Sequence, residues 1–111
     1  ELHRFSIRFV ADAAAHEEAG DTLQGRLEQA LSQASFVFER QLNIRLELAS
    51  MEIHETRSGA PSYSQGCGSG NSRDFMREKL LSFKAALGSS TSEHAALEHL
   101  WTGCGNGWGV V

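Results

Sequence analysis

The sequence is short of proline, cysteine and basic charge. Pro61 is its one proline, Cys67 and Cys104 are its two cysteines, and ten Lys and Arg stand against fourteen Asp and Glu, for a net charge of -4. Without a basic excess there is little to grip a phosphate backbone, so no nucleic-acid partner is expected. No apolar run approaches the ~20 residues of a membrane-spanning helix, and none has the makeup of a signal-peptide core. Two cysteines that far apart make no zinc site without histidine or carboxylate help. What is present suits one soluble domain: 111 residues, 41% hydrophobic and 22% charged. The chain starts at Glu1 rather than Met, which fits a processed or trimmed chain. Nine of the eleven glycines follow residue 58.

Hydrophobic periodicity divides the chain into strands and helices. Phe5-Ser6-Ile7-Arg8-Phe9 alternates apolar and polar, which predicts a half-buried strand continuing through Val10 and Ala11. Residues 12 to 20 are Ala-rich and polar, and predict a loop or a loose helical turn. Asp21 or Thr22 then caps a long helix. Its apolar stripe is Leu23, Leu27, Ala30, Leu31, Ala34, Phe38 and Leu42, and Asn43 is its end. A second alternating run starts at Ile44. Its phase slips before Met51 and Ile53, so a one-residue bulge near Ala49-Ser50 is expected in a strand spanning 44 to 55.

Residues 56 to 70 hold four glycines, four serines and the proline, and predict a loop. A second long helix starts at Asn71 or Ser72. It shows Phe75, Met76, Lys79, Leu80, Phe83 and Leu87 on one face, and Gly88 would stop it. Residues 97 to 102 fit a short strand or a helical turn, 103 to 107 a turn, and 108 to 111 a strand. Strands alternating with helices predict a three-layer α/β arrangement with a sheet that is at least partly parallel.

Few residues carry a chemical signature. The five histidines, His3, His16, His54, His94 and His99, include no pair at metal-binding helical spacing, and HExxH does not occur. Each is expected to be a surface or core-rim residue, which leaves an unrelated enzyme using His94 or His99 as a weak option. The glycines around Cys67 lie before a helix, but no lysine follows where a phosphate cradle needs one. Cys67 and Cys104 each sit among glycines. A disulfide in a secreted domain is the favoured reading, and two free thiols in a reducing compartment are the other. Trp101 is expected in the core, and Trp108 in an edge strand.

Three strings, in order, resemble a known family. Phe5 to Asp12 is similar to an opening strand that ends in V-A-D. Phe36 to Leu48 is similar to a helix-to-strand run that ends in N-I-x-L-x-L. Leu100-Trp101-Thr102-Gly103-Cys104 followed by Trp108-Gly109-Val110-Val111 is similar to a third strand and an edge strand. Together they resemble the N-terminal half of a metzincin metallopeptidase of the adamalysin/ADAM branch, fungal type, over essentially the whole chain.

The resemblance implies a metzincin-like N-terminal subdomain: a mixed, twisted sheet with two long helices, in three layers, truncated before the zinc-binding helix. Residues 1–111 would then be one partial catalytic domain of a secreted zinc metalloendopeptidase. The zinc motif HExxHxxGxxH would follow Val111. This chain would therefore bind no zinc and supply no catalytic residue, and would be inactive alone. It would contribute the edge strand, where the backbone of Trp108 and Gly109 pairs with extended peptide substrate. The expected partners are a peptide or protein substrate and the remaining C-terminal half of the catalytic domain. The alternative is a stand-alone, non-catalytic α/β interaction module.

Overall fold

In the computed structural model, residues 1–64, 73–89 and 95–104 are described. The elements run β1 (His3–Ala11), α1 (Ala13–Ala19), α2 (Leu23–Leu42), β2 (Ile44–Ile53), α3 (Arg73–Ser89) and β3 (Leu97–Trp101), with 3-10 turns at Gly20–Thr22 and Ser62–Ser64. The three strands form one sheet in the order β2-β1-β3. Both pairings are parallel. The residue pattern explains the parallel geometry: each connection carries a helix long enough to cross back over the sheet. The strand expected at 108 to 111, which would make the sheet mixed, lies outside the described residues.

Alternation along β1 sends its side chains to two cores. Ile7, Phe9 and Ala11 face α2 and pack with Ala15, Leu23 and Leu27. Val10 faces the other way and packs with Leu100, Phe83 and Tyr63 under α3. The sheet is thus the middle of three layers, as expected. The expected bulge is present too. Ile7 pairs with Leu48 and Arg8 with Ser50, leaving Ala49 as the extra residue. With that residue inserted, Met51 and Ile53 join the α2-side core together with Ile7 and Phe9.

Several local expectations need correction. Of the loop and the loose helical turn expected at 12 to 20, the structure takes the helical one and makes it a regular helix over residues 13–19, because Asp12 caps it by accepting a hydrogen bond from the Ala15 N–H at 2.8 Å. Thr22 stands at the N-cap of α2, as expected, but its side chain makes no capping hydrogen bond. Asp21 lies in the Gly20–Thr22 turn, and the Thr22 hydroxyl donates instead to the Ala19 carbonyl. Gly88 does not stop α3, which runs on to Ser89 without a left-handed residue at 88. The second strand ends at Ile53, not 55. Asn43 does end α2, in the left-handed region with φ 58° and ψ 37°. Residues 97–101 are a strand.

Candidate functional site

The C-terminal ends of β1 and β3 lie side by side, as in other parallel sheets whose sites form at that edge. Asp12, the residue after β1, is at the centre. Its carboxylate is fully buried. Oδ1 accepts from the backbone N–H of Ala15 at 2.8 Å and of Gly103 at 3.2 Å. Oδ2 accepts from the Thr102 hydroxyl and pairs with the Lys79 ammonium at 2.8 Å. The Thr102 hydroxyl oxygen in turn accepts from the Cys104 N–H at 3.1 Å. One carboxylate therefore joins α1, α3 and the turn that leaves β3. A buried carboxylate is tolerable only when so paired and hydrogen-bonded.

The surroundings of Asp12 are equally fixed. Lys79 is buried on the apolar face of α3, and its ammonium also donates to the Tyr63 carbonyl. The Ser64 hydroxyl accepts from the Ala13 N–H at 2.9 Å, satisfying a second donor at the start of α1. Gly103 passes close above α1: a Cβ there would stand 2.4 Å from the Ala14 carbonyl carbon and oxygen and 2.6 Å from the Ala15 nitrogen. Cys104 follows, buried against Ala14 and Met76.

A second polar cluster lies on the α3 side of the sheet. Arg8 of the central strand pairs with Glu52 of β2 at 2.9 Å and with Glu98 of β3 at 3.8 Å. The Tyr63 hydroxyl is 3.1 Å from His54 Nε2. Burial pushes the Tyr63 phenol up to about 12, with the Glu52 charge acting in the same direction and Arg8 opposing. On the α2 side, His99 stacks on Trp101 at 4.6 Å and meets the edge of Phe9 at 5.7 Å. Burial lowers its pKa below the ordinary histidine range. Trp101 also meets Phe9 edge to face at 5.2 Å, which places it against the core as expected. Its buried indole N–H has no partner among the described residues.

This aromatic group lines a cavity of about 350 Å3 between α2 and the sheet, with Ile7, Ala34 and Phe38. A second cavity of similar volume adjoins it at Phe5, Leu42 and Leu97. The apolar stripe expected on α2 is therefore only half used. Leu23 and Leu27 are buried, whereas Phe38 and Leu42 are 37% and 58% exposed.

Of the sequence-derived site residues, Cys104 is at the Asp12 cluster, and no cysteine among the described residues is free. Cys67, Trp108 and Gly109 lie outside the described residues, as does His94. Sequence reasoning missed Asp12 and Lys79 as partners. The signal available was a lysine on the apolar stripe of α3, which calls for a buried counter-charge. Among the described residues, no group of three or more His, Cys, Asp or Glu side chains is placed to hold a metal ion.

A parallel sheet flanked by helices, among the described residues, defines the class, an α/β domain with its polar cluster at the strand ends. The family follows from comparison of the sequence with known proteins. A model of metallo-peptidase family M12, Reprolysin_5, matches residues 2–111, and the chain belongs to that family. No curated protein matches the chain. The family bears out the metallopeptidase resemblance, and with it peptides as the class of substrate. No described helix is long and apolar enough to cross a membrane.

Proposed function

We propose that residues 1–111 are the N-terminal part of the catalytic domain of a secreted, zinc-dependent endopeptidase of the adamalysin/ADAM-like branch. The family match across residues 2–111 carries this reading. The zinc ligands belong to other residues of the full-length protein. This part supplies the sheet, and Trp108 and Gly109 pair main chain to main chain with an extended peptide. The open apolar ground around Phe38, Leu42 and Leu97 supports the reading, since it suits a further part of the domain packed against α2 and β3. Cys104 pairs with Cys67, the other cysteine of the sequence, and so fastens the loop before α3 to the turn after β3.

The test is made on the full-length protein. Purified protein is expected to carry about one zinc by elemental analysis, as one catalytic site requires. It is also expected to cleave unfolded polypeptide internally and to lose that activity on chelation. A protein that holds no zinc and cleaves no peptide overturns the reading in favour of a non-catalytic interaction module. Intact mass with and without thiol alkylation tests the Cys67–Cys104 pair.

A further inference from the structure

His99 sits under α2 in apolar surroundings. Register pairs it with Phe9 of β1, so its side chain shares the α2 face of the sheet with Ile7, Phe9 and Ala11. The imidazole lies against the Trp101 ring at 4.6 Å and meets the edge of Phe9. The cavity of about 350 Å3 that it lines is otherwise aliphatic and aromatic, with Leu31, Ala34 and Phe38 on the helix side and Ile7, Leu46 and Leu97 on the sheet side. Among the described residues the imidazole has no hydrogen-bond or ion-pair partner. The charged side chains around it are engaged elsewhere. Arg8 and Glu98 pair with each other on the opposite face of the sheet. Arg45 of β2 pairs with Glu39 of α2, and Glu47 with Arg4. Glu18 and Arg26 line a different hollow, with Thr102 and Gly103. A proton on His99 therefore puts an uncompensated charge into an apolar site, and burial lowers its pKa accordingly.

The helix over this site is held unevenly. Leu23 and Leu27 bury its N-terminal end in the core, whereas Phe38 and Leu42 leave the other end 37% and 58% exposed. That end is fastened to β2 by the Ser35 hydroxyl, which accepts from the Leu46 N–H at 3.1 Å, and by the Glu39–Arg45 pair at 2.8 Å. A segment with few buried apolar side chains opens at lower cost than the core does.

We propose that His99 is an acid-sensitive latch between the sheet and the C-terminal half of α2. Neutral, the imidazole packs under the helix; protonated, it draws water into the cavity and releases that half. The open form takes up a proton at the ordinary histidine value of 6.5, and the closed form resists it. Closure is therefore at full strength above 6.5 and weakens as pH falls below it. The latch does not depend on peptidase activity, and its test reads none.

The experiment is hydrogen–deuterium exchange of the full-length protein at pH about 7.5 and about 5.5, one unit either side of the ordinary histidine value. Rates are corrected for the chemical effect of pH on exchange. Wild type is compared with His99→Phe and His99→Gln, neither of which can titrate there, and with His3→Gln as an exposed control. In wild type and the control, protection of residues 30–42 is expected to fall on acidification by up to about tenfold, the limit for one proton taken up by the open form alone. Residues 76–87 of α3 are expected to keep their protection. Both His99 variants are expected to hold residues 30–42 unchanged, and His99→Gln supplies the comparison if His99→Phe does not fold. Protection of residues 30–42 that stays constant in wild type overturns the proposal. An equal fall in the His99 variants overturns it too, because another group is then responsible. So does an equal fall in α3, which would mean that acid acts on the whole fold.

Discussion

Gly103 and Tyr63 show how much a single position carries in this fold. At Gly103 the obstacle to a side chain is backbone of α1, which cannot swing aside as a side chain tip can. Gly103→Ala is therefore expected to destabilise the protein by about 1–3 kcal/mol, as overpacking does, measured by denaturant unfolding. Gly59, at φ 74° with open space around it, marks the contrast, since there the conformation and not the space requires glycine. Tyr63 is the sole tyrosine, so tyrosinate absorbance reports it directly. In native protein the titration midpoint is expected near 12, and in denaturant near the ordinary value of 10. The sign follows. Between 10 and 12 the unfolded chain ionises while the folded one keeps its proton, so this residue's share of stability is present below 10 and lost as pH rises through that window. A native midpoint at 10 would refute the buried environment of the phenol. Asp12 was legible in the sequence only as the end of a strand. Its four donors come from positions 15, 79, 102 and 103, and no local pattern links residues that far apart.

Among the elements, β2 is the one whose irregularity the sequence announces. Alternation from Ile44 and alternation into Ile53 are out of phase, and one inserted residue, Ala49, reconciles them. Deleting Ala49 would keep Met51 and Ile53 on the α2-side core, whereas inserting a second residue beside it puts them out of phase with Ile44 to Leu48 and turns them away from that core. The expected cost is about 2–4 kcal/mol in thermal or denaturant unfolding, from the apolar area returned to water. An unchanged midpoint would show that the bulge does not set the register. Both long helices were legible for the same reason: a 3.6-residue stripe persists over many turns in α2 and α3. The short helix α1 was not. Its alanines line no stripe, and it owes its start to Asp12 and to Ser64 from 51 positions away. The end of α3 was equally hard to place, since whether Gly88 stops the helix turns on a dihedral angle that neighbouring residues do not dictate.

For the whole molecule, the telling feature is the imbalance between its two faces. Under α3, Val10, Leu100, Phe83 and Tyr63 close a core. Under the C-terminal half of α2 the apolar surface stays open, with Phe5, Phe38, Leu42 and Leu97 between 37% and 58% exposed. A protein of residues 1–111 is expected to bind an apolar dye such as ANS in its folded state. Replacing Phe38 by Gln and Leu97 by Thr is expected to reduce that fluorescence with at most a modest fall in melting temperature, because the two residues are already 37% and 47% exposed. Dye binding that persists unchanged would place the open surface elsewhere. By itself the sequence determined the alternation of strands and helices, the bulge, the apolar stripe of each long helix, and the family, because each is written in neighbouring residues or in ordered strings. Only the tertiary structure decided that Asp12 and Lys79 meet, that Gly103 must pass over α1, and that half of the α2 stripe stays uncovered. Those depend on side chains brought together from distant positions, where burial and hydrogen-bond geometry, not local pattern, choose the partner.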